Sequence, residues 1–187
     1  MKVTKEKAAS NKASILQAAA RLYRENGIEG IGIGQLARSV GLTHGGFYGQ
    51  FPGGKEQLAA EAIGQMFEPN LSSFQQAETL EEIVDDYLST AHLDDVGIGC
   101  PIPALGADIA RLPDSAKQPF TVGVLAMMDA IKPLTGSEDD ATQRLRAAQV
   151  LASMAGAVLI ARAVDDPELS RYFLEAVATA WNAQAAE

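Results

Sequence analysis

With 187 residues, 47% of them apolar and 21% charged, the chain has an ordinary globular balance and room for a small domain joined to a larger one. No uninterrupted apolar run reaches the roughly 18–20 residues that cross a bilayer. No signal-peptide core follows Met1–Lys7, and the single Cys100 excludes an internal disulfide framework, so the expectation is a cytoplasmic protein without a membrane partner. The net charge of −9 is unevenly spread: residues 1–55 hold eight Lys/Arg against three acids, a net +5, and the remainder carries −14. A polyanion attracts the first part and repels the second; a solvated basic tail has the same composition.

In chain order, Ile15, Ala19, Leu22 and Tyr23 form the apolar stripe of a first helix. Ser10 or Asn11 is expected to cap its start and Gly27 to end it. Ten of the seventeen glycines fall between Gly27 and Gly54, which predicts short helices joined by tight turns. A longer helix is expected from near Gly54 through Met66 and Phe67, with Pro69 as a break or kink.

Leu80, Ile83, Val84, Tyr87 and Leu88 mark another helix, ended by Gly97 and Gly99. Pro101 and Pro103 suit the first turn of the next, which stops before Pro113. Asp114 or Ser115 is expected to cap a helix ending near Pro133, and Ser137 with Asp140 resembles a capping box. The helix behind that box is apolar on nearly all faces from Ala147 to Ala161, so both sides need covering. Asp166-Pro167-Glu168 begins the last helix, which carries Tyr172, Phe173, Val177 and Trp181. No strand alternation is present, and the expectation is an all-α fold of about nine helices.

The sharpest pattern runs from Leu36 to Phe51. Leu36, Ala37 and Val40 give one short helix a buried side, Gly41 supplies the positive φ of a sharp turn, Leu42 plugs the angle and Thr43 caps a second helix. Tyr48 and Phe51 share a side of that second helix. Leu36-Ala37, Gly41-Leu42, Thr43, Gly45, Tyr48-Gly49-Gln50-Phe51 and Lys55-Glu56-Gln57-Leu58 together resemble the helix-turn-helix of TetR-family one-component regulators over residues 11–63. Three features depart from that pattern. Ile31-Gly32 stands where the family has a phosphate-binding Thr or Ser, Gln50 stands where His is common, and Pro52-Gly53-Gly54 is one residue longer than usual.

The resemblance implies a DNA-binding domain over residues 1–64 and a ligand-sensing, dimerising domain over residues 65–187. It places Lys12, Thr43, His44, Gly45, Phe47, Tyr48, Gln50 and Lys55 at DNA. Thr43 and His44, with Gln50, face base edges; Tyr48, Lys55 and Lys12 face phosphates. The alternative makes Tyr48 and Phe51 core aromatics and Lys55 a solvated lysine. Gly45, Gly46 and Gly49 each cost about 1 kcal/mol of helix propensity relative to Ala, which predicts a recognition helix that firms up on DNA.

The apolar helix over residues 138–164, with Ala152, Ala155, Gly156 and Ala157, suits either half of an intermolecular four-helix bundle or a core position within one chain. A homodimer predicts a pseudo-palindromic double-stranded DNA operator, and repression is the family default. Met66, Phe67, Leu71, Phe74, Tyr87, Phe120, Met127 and Met128 are candidates to line a cavity for an apolar or aromatic effector, or to be plain core. Cys100, before Pro101 at a helix start where the dipole lowers a thiol's pKa, is a candidate to sense electrophiles, but the reading as a small buried apolar residue is favoured.

An enzyme is disfavoured: no nucleophile–base motif, phosphate-cradling loop or metal-ligand spacing is present, and no cofactor is expected. His92 beside Asp94 and Asp95 is read as an exposed helix end in preference to a metal site. A helical interaction protein without DNA binding is the remaining rival.

Overall fold

The computed structural model describes residues 5–136 and 139–185. Among them are eleven α-helices and no strand: α1 Lys5–Asn26, α2 Ile33–Ser39, α3 His44–Gln50, α4 Gly54–Met66, α5 Glu68–Gln76, α6 Leu80–Tyr87, α7 Thr90–Asp94, α8 Pro101–Ile109, α9 Asp114–Ile131, α10 Asp140–Ala163 and α11 Pro167–Ala185.

Two more helices are present than the expected nine, for local reasons. Pro69 lacks an amide proton, so the long helix is interrupted at Phe67 and restarts as α5. The helix begun at Leu80 stops at Tyr87 because the Ser89 hydroxyl accepts from His92 N (3.2 Å) and caps a new short helix, α7. Helix α1 is already formed at Lys5, ahead of the expected caps; Ser14 Oγ instead donates to Ser10 O within it. Asp114 and Ser115 lie inside α9, where Ser115 Oγ donates to Glu56 of α4 (2.6 Å). Ser137 falls outside the described residues; Asp139 caps α10, its carboxylate accepting from Thr142 N at 2.8 Å.

Helices α1 to α4 form a small unit. Helix α1 packs on α2, α3 and α4, and Gly27, at φ +75°, ends it with an amide bond to Tyr23 O. In the body, α10 is central and packs on α8, α9 and α11, while α6 lies on α11 and α5 on α9. One buried apolar cluster runs from Ile15 of α1 to Leu174 of α11. The expected division after residue 64 falls within the last turn of α4, a helix that packs both on α1 and on α9.

That α4–α9 contact is close because α9 offers no side chain at Gly123: a Cβ there would lie 2.2 Å from the Phe67 ring. A second bridge is polar. Asp108 of α8 accepts from Ile28 N at 3.2 Å, directly after α1 ends.

By length and composition α10 is long and apolar enough to span a membrane, although charged residues interrupt its apolar run. Here it is the core helix of the body. Val150, Met154, Ala157 and Val158 are buried against its neighbours, and Arg144, Arg146 and Arg162 lie along it.

Candidate DNA-binding site

The site grows from a short sequence with strong local instructions. Leu36 and Ala37 bury α2 on the core. Gly41 then takes φ +70°, which folds the chain back so that Leu42 N reaches Ala37 O (2.8 Å). Thr43 is extended, and its hydroxyl accepts from Gly46 N (3.2 Å), starting α3 one residue later.

Helix α3 has two faces. Phe47 and Phe51 are fully buried and stack with ring centroids 5.4 Å apart. This corrects the placing of Phe47 at DNA: it faces inward, one helical turn before Phe51, and anchors α3. Phe51 is core, as the alternative reading held. Thr43, His44, Gly45, Tyr48 and Gly49 are exposed, and Gln50 is half-buried. Tyr48 is 43% exposed and is steadied edge-on by His44 and Phe47, with centroids at 5.3 and 5.5 Å. A Cβ at Gly45 or Gly49 would meet nothing within 4 Å, so this face leaves the α3 backbone open to close approach.

Both lysines assigned to phosphates sit in ion pairs. Lys12 Nζ is 2.7 Å from Glu61 and lies over the Phe51 ring (5.4 Å to its centroid); Lys55 Nζ is 3.2 Å from Glu29. Ile31 is buried and Gly32 caps α2 without a side-chain hydrogen bond, so no hydroxyl stands at the start of α2. Arg38, exposed in the last turn of α2, was not singled out from sequence, although its charge within the motif was the available signal.

In the body, the residues considered as cavity lining pack on one another. Phe67 meets Phe120 edge-on at 5.4 Å, Phe74 meets Tyr87 at 6.0 Å, and Met66 and Met127 are fully buried. An apolar groove of about 370 Å³ opens beside Phe67, lined also by Leu71, Pro119, Val122 and Gly123.

Cys100 is the small buried apolar residue of the favoured reading. It is 0% exposed, and burial pushes its thiol up to about 11, overriding the start of α8 and the nearby Tyr87, Arg24 and Arg162. His92 is half-buried, not an exposed helix end. Its Nδ1 lies 2.5 Å from Tyr87 O and its Nε2 accepts from Cys100 N (2.8 Å), so the ring is the neutral Nδ1–H tautomer and clips α6 to α8. Both ring nitrogens are thereby engaged, and among the described residues no group of three or more His, Cys, Asp or Glu is arranged to hold a metal.

Two arginines that the sequence reading passed over tie this region together. Arg24 of α1 donates to Gly97 O (2.8 Å) and to Met66 O (3.1 Å), and Arg162 of α10 donates to Leu93 O and His92 O.

A short helix, a glycine turn and a second helix with one anchored and one exposed face define a helix-turn-helix DNA-binding transcriptional regulator. The comparisons narrow this. The family model for bacterial regulatory proteins of the tetR family matches residues 15–62. The HTH-type transcriptional regulator LmrA of Bacillus subtilis is 45% identical over 58 residues, spanning 31% of each chain. Rv0196 of Mycobacterium tuberculosis, an uncharacterized HTH-type regulator, is 29% identical over 156 residues, 77% of this chain and 80% of that one. The fold is shared at 18–19% identity with a TetR-family regulator from Agrobacterium tumefaciens (TM-score 0.73, 93% of this chain and 98% of that one) and with E. coli NemR in its reduced form (0.75, 93% and 96%). Residues 15–62 thus carry the DNA-binding domain of the tetR family, and the chain as a whole resembles TetR-family transcriptional regulators.

Proposed function

We propose that the chain is a homodimeric repressor that holds a pseudo-palindromic operator through the exposed face of α3 and is released by a small apolar or aromatic effector. The observation that carries this reading is the division of α3. Phe47 and Phe51 fix the helix from inside while Thr43, His44, Gly45 and Tyr48 stand clear of the protein. On a duplex, His44, Thr43 and Gln50 reach base edges, and the Tyr48 hydroxyl donates to a phosphate. Lys12 and Lys55 exchange half-buried Glu61 and exposed Glu29 for phosphates, an exchange that is cheap because such surface pairs are worth about 0–1 kcal/mol. A gel shift with the upstream region of the protein's own gene, with and without competitor DNA, tests the reading; absence of a salt-sensitive complex contradicts it.

Dimerisation is supported by a stripe on the outer face of the last two helices. Leu145, Ala152 and Leu159 recur every seven residues on the one exposed face of α10, beside exposed Leu169, Tyr172 and Ala176 on α11. A two-fold pairing of α10 and α11 buries this stripe as a four-helix bundle. Replacing both Leu145 and Leu159 by Arg is expected to yield monomers in sedimentation experiments and to abolish tight operator binding.

The apolar effector is assigned to the groove beside Phe67, between α4–α5 and α9, because α4 joins this groove to the DNA-binding helices. Release requires the effector to prefer the DNA-incompetent arrangement; equal affinity for both would shift nothing. The likeness to NalD, described as the secondary repressor of a multidrug efflux pump in Pseudomonas aeruginosa, favours repression. The burial and raised pKa of Cys100 argue against an electrophile as effector.

A further inference from the structure

A second cleft, of about 640 Å³, lies where the DNA-binding helices meet the body. Its walls come from α1 (Gln17, Ala18 and Arg21), from Val40 after α2, from Gln65 and Pro69 around the α4–α5 junction, and from Gly97 and Ile98 of the loop before α8. Arg24 also lines it. This arginine is 7% exposed, and no carboxylate lies within 4 Å of it among the described residues. Its two terminal nitrogens donate to Ala20 O, Gly97 O and Met66 O, whereas Nε is buried with no hydrogen-bond partner there. Three of the five N–H groups are thus used; a buried guanidinium whose Nε–H has no acceptor is a costly arrangement, which an anion reaching it from the cleft would relieve.

The surroundings narrow the anion. Arg21 is neutralised by Glu25 (2.7 Å), and Asp95 is near enough to act on Arg24 electrostatically without forming an ion pair. One donor against two neighbouring carboxylates favours a single negative charge over a phosphate dianion. The side-chain amides of Gln17 and Gln65 are at hand for a second oxygen. The other walls, Ala18, Ala20, Val40, Pro69 and Ile98, are apolar, and Ile98 stands 59% exposed at the rim where it can cover an apolar body.

We propose that this cleft is a second small-molecule site, distinct from the groove beside Phe67, that takes a small amphipathic monocarboxylate anchored by Arg24. Its occupant touches α1, the α4–α5 junction and the Gly97–Ile98 loop at once, and so biases the angle at which α3 is presented.

The test uses the full chain without DNA, so it does not depend on the operator reading. Benzoate and hexanoate are titrated calorimetrically, with benzamide and inorganic phosphate as neutral and polyanionic controls. The expected result is binding of at least one carboxylate, with both controls weaker by about tenfold or more. Ala18→Leu narrows the cleft and Arg24→Met removes the donor at similar length; each is expected to weaken carboxylate binding by about tenfold. Val122→Trp, which fills the groove beside Phe67, is expected to leave it unchanged. Should Arg24→Met fail to fold, Ala18→Leu with an intact circular dichroism spectrum decides. Failure of both carboxylates to bind below about 10 mM, equal binding of benzamide or phosphate, unchanged affinity in Ala18→Leu, or loss in Val122→Trp would overturn the proposal.

Discussion

Helices α3 and α10 are built on opposite plans. The first has seven residues, three of them glycine, and is held by two buried phenylalanines and one threonine cap. The second has twenty-four residues, eight of them buried, and is enclosed by α8, α9 and α11. Burial on several sides leaves α10 little freedom, whereas α3 is secured along one edge and keeps the other for contact. On the proposed reading, recognition falls to a short helix anchored along one edge, which can adjust to a duplex while the body sets its position.

The largest expected effect breaks the anchored edge. Phe47→Ala removes a fully buried ring from α3 and should cost about 3–4 kcal/mol in urea unfolding, together with operator binding. An equally conservative truncation on the exposed face, at His44, should leave the unfolding midpoint unchanged.

Alkaline pH probes the body instead. The Cys100 thiol is pushed up to about 11 in the folded chain, above its ordinary value of 9.0. As pH rises through the ordinary value the unfolded chain loses this proton first, so stability declines, by about 3 kcal/mol once the folded thiol also ionises. Tyr87, likewise raised by burial, adds to the decline in the same direction. Urea midpoints at about pH 8 and about pH 10.5 should differ less in Cys100→Ala than in the wild type; an unchanged slope would remove Cys100 as a contributor.

A smaller effect sharpens the contrast from the other side. Gly45 and Gly49 face open space, so Gly45→Ala and Gly49→Ala should each stabilise the free protein by up to about 1 kcal/mol. The added methyl groups stand between the α3 backbone and the duplex, so operator affinity should fall as thermal stability rises. Tighter binding by these variants would show that helix order, not close approach, limits recognition.

The DNA-binding unit was legible in the sequence because its determinants are local. Gly41, Thr43 and Phe51 act within one or two turns, and their geometry follows from residue type. Phe47 was misplaced because spacing alone does not say which side of a seven-residue helix faces the core. The junction was not legible. Arg24 reaches Gly97 across 73 positions and Arg162 reaches His92 across 70, and no periodicity announces such contacts. At Cys100 the sequence left two readings open, because its place before Pro101 was visible but the burial that outweighs the helix dipole comes from residues distant in sequence.

The most direct test of α3 as the recognition element is an anisotropy titration of wild type and Tyr48→Phe against the same operator duplex at matched salt. The account predicts salt-sensitive binding by the wild type and a loss of about five- to tenfold in Tyr48→Phe, the worth of one phosphate hydrogen bond, with no change in melting temperature. Equal affinity of the two proteins, or a loss matched by a lower melting temperature, would contradict it.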